Sequence, residues 1–436
     1  MLTLFHNVFK IIVSHKLEIL LKGGLSMKKF LSLLLALLMV FTLAACNNGG
    51  GNTPAEPSGS GDSSDKFKIA IVTGSVSQSE DDRRGAEAIQ AKLGEDVVVL
   101  ATYPDNFTEE YETTVQTIVN FADDPEVKAI VVNQGVPGTT EAFQKVKEMR
   151  PDMICLVGEA HEDLPVIGSV ADVVVNNDFV ARGYLMIKTA HDLGCDTFVH
   201  VSFPRHLSYE TMSRRVAIMR AACEEFGMSF VMETAPDPTD TSAGGMDGAV
   251  AFMKENTPKW IEKYGQNAAF FCTNDGETAP MLAALLENGG YFIEADLPSP
   301  LMGYPEALGG LDTTAEAGDF AKITKKVEDA VLAAGGEGRF GTWTCSWGYS
   351  LSAGLGQYAY NVLSGAAKLQ DSADLSAALK DFSGVDWNGS NYVDATSGVK
   401  SDSIVLLYQD TYIFGKGYMG VTDVEVPEKY FNIAGE

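Results

Sequence analysis

From Lys66 onward the chain alternates between two hydrophobic rhythms. Short runs that are apolar at nearly every position occur at Lys68 to Val72, Val97 to Leu100, Ala129 to Val132 and Met153 to Val157. Such runs predict strands buried on both faces. Between them the apolar residues recur at helical spacing. After a polar loop, Thr73 to Gln78, Ser79 is placed to cap a helix, with Glu80, Asp81 and Asp82 near its positive end. Ala86, Ile89 and Leu93 form its apolar stripe, and Gly94 ends it. A helix from about Thr108 sets Tyr111, Val115, Ile118 and Val119 on one side, and another covers Thr140 to Met149. Further strands are expected at Val173–Val175, Thr197–Val201, Ser229–Met232 and Ala268–Cys272, with helices over 180–193, 209–226 and 277–288 between them. Alternating strands and helices of this kind predict βαβ units, and so an α/β protein with parallel sheets. No repeat of solenoid period is present. Asp237 to Gly245 reads as a loop; beyond Asp371 the pattern weakens, with turn residues at Asn388, Gly389 and Ser390 and a late strand, Ser403 to Leu407.

The first 65 residues follow a different logic. Met27, Lys28 and Lys29 open a segment in which Phe30 to Ala45 carries no charge. Those 16 residues fall short of the ~20 that a membrane-spanning helix needs. A basic start, a short apolar stretch and small residues at its end describe a secretory signal peptide over 27–45. Leu43-Ala44-Ala45-Cys46 resembles the lipobox of bacterial lipoproteins, which implies cleavage before Cys46 and lipidation of that cysteine. Asn47 to Asp65, rich in Gly, Ser, Asn and Pro, reads as a flexible tether. Residues 1–26 add a second apolar stretch ahead of the basic start, and Lys22-Gly23-Gly24 can be encoded as a ribosome-binding sequence just upstream of Met27. The expectation is that translation starts at Met27 and that 1–26 are an upstream extension; the alternative is a genuine leader that is discarded.

From Cys46 to the end, 27 basic and 58 acidic residues give a net charge of −31. That charge repels nucleic acid and anionic surfaces. Five cysteines follow Cys46, at 155, 195, 223, 272 and 345, with no CxxC. Zinc-ribbon and thioredoxin motifs are therefore absent, and the five read as structural thiols.

Several stretches carry a family likeness. "NNDFVARGYLMIKTAHDLGCDTFVHV" (176–201), "SRRVAIMRAACEEFG" (213–227), "AAFFCTNDGETAPMLAALLENGG" (268–290), "PSPLMGYPEALGG" (298–310) and "GTWTCSWGYSLSAGLGQYAYNVLSG" (341–365) resemble, in order and spacing, segments of the type 1 periplasmic-binding fold. Sugar-binding proteins, nucleoside-binding lipoproteins and the effector domains of LacI-type repressors share that fold. The whole chain also resembles a bacterial lipoprotein family of this fold built on a domain of unknown function. The likeness implies two lobes, each a parallel sheet flanked by helices, joined by a multi-strand hinge. It assigns 66–176 with about 305–365 to an N-terminal lobe, and 177–304 with about 366–436 to a C-terminal lobe. It further implies a lipid-anchored receptor on the outer face of the cell membrane, capturing a small polar ligand (sugar, nucleoside, amino acid or related metabolite) for an ABC permease. The last seventy residues exceed what a minimal sugar binder needs, and the loop 73–78 lacks the aromatic residue many sugar binders place there.

In open parallel sheets, ligands bind beyond the carboxyl ends of the strands. That rule selects Ser75, Ser77 and Gln78; Asn133 and Gln134, beside Gly135; Glu159, with His161 near; Asn177 and Asp178; Ser202, Phe203 and Arg205; and Asn274 and Asp275. Trp343 and Trp347 flank a late strand. These groups supply the hydrogen bonds and flat faces that a polar small molecule requires. The resemblance implies Asp275 as a ligand acceptor, and Arg205 suits a carboxylate or phosphate. Each has a plainer reading. Strand-end Asn and Asp, Asn274 among them, also cap helices. Arg214 and Arg215 suit a solvated helix face or inter-lobe ion pairs, Trp347 and Tyr349 suit a core, and His161 suits a surface loop.

Enzyme signatures are weak. Gly336 to Gly341 fits GxGxxG by letter but follows a helix and precedes a strand, the reverse of a dinucleotide site. Ser350 to Gly354 half resembles a nucleophile elbow in the wrong context. HExxH and P-loop motifs do not occur. The expectation is a binding protein without catalysis, cofactor or metal. Its rivals are an exported hydrolase, a regulator of the same fold, which would need a basic DNA-binding segment ahead of the domain, and a sensing or structural surface lipoprotein.

Overall fold

The computed structural model describes residues 66–435, without the side chains of Ser77 and Gln78. The leader, Cys46 and the tether lie outside the described residues.

Two parallel sheets organise the chain. The first has seven strands in the order β11-β12-β5-β4-β3-β1-β2. Five of them come first in the chain: β1 (Lys68–Thr73), β2 (Val98–Thr102), at one edge, β3 (Val127–Gly135), β4 (Ile154–Ala160) and β5 (Val173–Asn177). All pair in parallel, with Ile71 beside Leu100 and Val131, and Val131 beside Leu156. The second sheet runs β7-β6-β8-β9, built from β6 (Thr197–Ser202), β7 (Ser229–Thr234), β8 (Ala268–Cys272) and β9 (Tyr291–Phe292). Apart from β9, these strands fall on the apolar runs of the sequence, and Ile69 to Val72, Ile130 to Val132 and Ala268 to Phe271 have no exposed surface at all. A small antiparallel sheet, β10 (Gly341–Thr342), β13 (Tyr412–Ile413) and β14 (Gly417–Tyr418), joins the second lobe through a bridge from Phe340 to Phe292.

Helices fill the outer layers. Val76–Leu93 packs closely against Trp347–Leu363 in the first lobe. A Cβ at Gly85 would run into the carbonyl of Tyr349, so only glycine permits that approach. The first helix begins ahead of the expected cap, Ser79, and is broken there (φ −152°, ψ 75°). In the second lobe Phe179–Asp192 packs on Glu210–Phe226, and Gly245–Tyr264 on Asp275–Asn288.

The strand pairing corrects the expected lobe boundaries. The tail 366–436 does not form part of the C-terminal lobe as a block. β12 (Lys400–Tyr408) pairs in parallel with β5, and β11 (Asn388–Val393) pairs antiparallel to β12, so both extend the first lobe's sheet. Asn388, Gly389 and Ser390, read as a turn, start that edge strand. Conversely, of 305–365 only the helix from Trp347 lies on the first lobe. Phe320, Ile323, Val327 and Val331 of the helix Phe320–Ala333 share a core with Phe270 and Leu285 of the second. The chain therefore crosses between lobes at 177–179, 342–347 and 408–412. All five described cysteines are buried free thiols.

Candidate functional site

The three crossovers converge on one buried network. Arg182, 1% exposed, sits one turn into the helix after β5. Its Nε donates to Glu294 (2.7 Å), one Nη to Asn177 (2.6 Å) and to the Asp296 carbonyl (2.8 Å), the other Nη to the Ala295 carbonyl (2.7 Å). Glu294 also accepts from Trp343 Nε1 and Thr411 Oγ1, each at 3.0 Å. Asn177, Trp343 and Thr411 belong to three different crossovers. The sequence pattern marks neither Arg182, which lies within a helix, nor Glu294, which follows the two-residue strand β9.

Next to this network the carboxyl ends of the first sheet face those of the second. Glu159 closes β4 with a left-handed φ of +43°, unusual for a side-chain-bearing residue. Its carboxylate accepts from Trp347 Nε1 (2.6 Å), the Asn177 amide (3.1 Å) and Asn176 Nδ2 (3.3 Å). Burial nevertheless pushes Glu159 up to about 7. Asp82, 4% exposed, lies beside Gln134 and Glu159. Burial, then the charge of Asp81, pushes it up to about 7, and its Oδ2 has no partner. A Cβ at Gly348 would strike its other oxygen. Asp81 accepts from Ser346 (2.5 Å) and Ser299 (3.1 Å).

From the second lobe, partly exposed Asp275 projects at the start of the helix after β8. Burial among protein atoms, then the charges of Asp296, Asp82, Glu159 and Asp81, push it up to about 8. Because Asp81, Asp82 and Glu159 belong to the first lobe, this coupling spans the cleft. His161 of the first lobe is pushed down to about 4 by burial and then by His206 and Arg205 of the second. Arg215, fully buried, pairs with Asp296 at 2.6 Å, off the angle of a hydrogen bond, and stacks over Phe179 and Phe271.

The sequence candidates divide accordingly. Gln134 and Glu159 sit at the carboxyl ends of β3 and β4, Asp275 opens the helix after β8, and the Trp347 indole donates to Glu159. Arg205 is already held by Asp237 through two hydrogen bonds, at 2.7 and 3.0 Å, so it is not a free anion receptor. Asn133 is fully buried, and its amide donates to Ser352 (2.8 Å) and the Gly348 carbonyl (3.2 Å). Asp178 caps its helix through the Ala181 amide and Asn274 caps through Gly276. Ser75 bonds Asp105, Ser202 bonds Thr273, and Phe203 is buried against His206. Trp343 points at Glu294 rather than outward. Ser77 and Gln78 are outside the described side chains. Arg214 and Arg215 are buried, not solvated; Arg214 binds the carbonyls of Val393, Phe431 and Ile433. In the sequence Asp81 and Asp82 have the place of helix-end charges, and nothing in the pattern marks Asp296.

No group of three His, Cys, Asp or Glu among the described residues could hold a metal ion. A separate open hollow of about 620 Å³, lined by Tyr111, Thr140, Glu141, Lys145 and Glu162, lies on the first lobe away from this convergence.

Comparison with known proteins places the architecture. The model of the family described as "Protein of unknown function (DUF3798)" matches residues 67–341, and a second family model matches 352–433. An uncharacterized protein of Treponema pallidum (strain Nichols) is 42% identical over 218 residues, 50% of this chain and 97% of that protein. A second one from the same organism is 38% identical over 199 residues, 44% of this chain and 90% of its own. Among solved structures, a Clostridium difficile 630 protein described as a candidate transcriptional regulator superposes with a TM-score of 0.69 at 22% identity, covering 80% of this chain and 99% of its own. A sugar ABC transporter protein from Actinomyces odontolyticus ATCC 17982 superposes with a TM-score of 0.50 at 11% identity, covering 84% and 100%. These likenesses show a two-lobed fold of the type 1 periplasmic-binding kind, the fold of solute-binding proteins.

Proposed function

The chain belongs to the DUF3798 family, and we propose that it is a lipid-anchored receptor on the outer face of the cell membrane. It captures a small polar solute between its lobes and delivers it to an ABC importer. The observation that carries this reading is the two-lobed fold, with Glu159 at the carboxyl end of β4 in one lobe and Asp275 opening the helix after β8 in the other. A ligand that pairs with both lobes binds the closed form better than the open one, and that difference drives closure.

A thermal-shift screen against sugars, nucleosides, amino acids and small metabolites tests it. A true ligand is expected to stabilise the fold by about 2.7 kcal/mol at one hundred times its Kd, and Asp275→Ala is expected to weaken that response. Silence across such a library would favour the sensing or structural lipoprotein reading. The anchor is tested separately: Cys46→Ser is expected to move the protein from the membrane to the soluble fraction. A variant that stays with the membrane would remove the lipid anchor from the proposal.

A further inference from the structure

The three crossovers are not the only ties between the lobes. Arg214 lies in the helix Glu210–Phe226 of the second lobe and is 1% exposed. Its Nη1 donates to the carbonyl of Val393 at 3.0 Å, and Val393 ends β11, the edge strand of the first lobe's sheet. Its Nη2 donates to the Phe431 carbonyl at 2.9 Å, and its Nε to the Ile433 carbonyl at 3.1 Å. The guanidinium carbon lies 5.9 Å from the ring centre of Tyr392, a buried residue of β11. Within its own helix Arg214 pairs with Glu210 at 3.3 Å. One side chain thus binds the main chain of two segments, one of them in the first lobe's sheet and the other in the C-terminal tail.

That tail is seated on the second lobe. Tyr430, 1% exposed, packs its ring 4.8 Å from that of Tyr184 in the helix Phe179–Asp192, and its hydroxyl donates to Glu225 at 2.6 Å. Lys429 pairs with the same Glu225. A Cβ at Gly435 would stand 2.6 Å from Ser213 Oγ, so the last residues run hard against the helix that carries Arg214. Val393 is anchored to the other lobe. β11 pairs with β12 from Asn388, opposite Tyr408, where the third crossover begins. Val393 therefore stands five residues, roughly 15 Å, from that crossover along the strand. A hinge rotation of ~20° across such an arm would shift Val393 by roughly 5 Å, beyond the reach of a hydrogen bond. It would also leave a buried guanidinium short of an acceptor, which is costly. We infer that Arg214 is a latch between the lobes: it holds them in one relative position, and one lobe turns on the other only when its grip on β11 is released. Its three acceptors are main-chain carbonyls, so the latch depends on the planar fork of the arginine and not on the side chains it meets. The latch goes beyond the receptor reading and needs no ligand. In a receptor it would set the fraction of molecules open to a solute.

Distances between two spin labels test the latch. Glu148→Cys and Lys254→Cys place one label on an exposed helical position of each lobe, in the Cys46→Ser background; the five remaining cysteines are buried. With Arg214 intact and no solute added, one narrow distance distribution is expected. A broad or two-peaked distribution there overturns the latch before any variant of Arg214 is made. Arg214→Met, checked for folding by circular dichroism, is expected to broaden the distribution roughly twofold or to add a second, displaced peak. An unchanged distribution in folded Arg214→Met overturns the latch and leaves Arg214 a packing residue. If Arg214→Met does not fold, Arg214→Lys takes its place with the same two outcomes, because lysine keeps the charge but cannot span the three carbonyls. No solute enters the experiment, so its result is independent of the receptor reading, which the ligand screen tests.

Discussion

Arg182→Met is expected to destabilise the protein by about 3–5 kcal/mol, the usual cost of removing one partner from a buried ion pair. Glu294 would keep its charge, 2% exposed, with only the Trp343 indole and the Thr411 hydroxyl as donors. The carbonyls of Ala295 and Asp296 would each lose a donor as well, and an unpaired buried acceptor has its own desolvation cost. The guanidinium also lies 5.0 Å over the Trp343 ring, so packing is lost with the charge. The effect reaches beyond one contact, because the residues Arg182 gathers come from all three crossovers between the lobes. Urea unfolding of Arg182→Met measures the cost, and the double variant Arg182→Met, Glu294→Leu separates charge from shape. If the cost is mainly the stranded carboxylate, the double variant should recover much of the loss. A loss below about 1 kcal/mol in the single variant would mean that water reaches Glu294 and that the crossovers are not tied through it.

The parts of this architecture that the sequence displays are those fixed by local pattern. Short apolar runs bounded by turns mark strands, so β1 to β8 lie where their hydrophobic runs predict, within a few residues, though the edge strands β2 and β7 are only partly buried. Asp275 is legible as a candidate by the same pattern, because it opens the helix that follows the apolar run of β8. What stayed hidden depends on long-range pairing. β12 inserts beside β5, more than two hundred residues earlier in the chain, and no periodicity announces which sheet a strand joins. The helix Gly245–Tyr264 follows a loop rich in breakers and carries Pro258 within it, which masks its pattern. Arg205 has the chemistry of an anion receptor in isolation, but Asp237, 32 residues away, neutralises it. Asp81 and Asp82 illustrate the reverse. Acidic residues near a helix start have an ordinary explanation in the helix dipole. Only the arrival of Ser299, Ser346 and Gly348 from distant segments shows these two to be enclosed.

Stability is expected to fall by on the order of 5 kcal/mol between about pH 6 and pH 8.5. The sign follows from which state holds the protons. Burial pushes Asp82 and Glu159 up to about 7, and Asp275 and Glu277 up to about 8. An unfolded chain releases those protons near pH 4, so the folded state binds more of them, and its advantage is lost as the pH rises through 7 and 8. Asp178, pushed up to about 6, adds to this on the acid side. Three histidines oppose it. Burial pushes His161 and His206 down to about 4 and His200 to about 3, so below about pH 6.5 the unfolded chain holds protons that the folded one lacks. The three histidines offset only part of the carboxyl effect between about pH 4.5 and 6.5, and above that range only the carboxyls remain. Urea midpoints measured from pH 5 to 9 test this directly. Asp82→Asn and Asp275→Asn, whose amides mimic the protonated acid, should each flatten the alkaline fall. Stability that is level or rising between pH 6.5 and 8.5 would show these carboxylates to be ionised without cost at neutral pH.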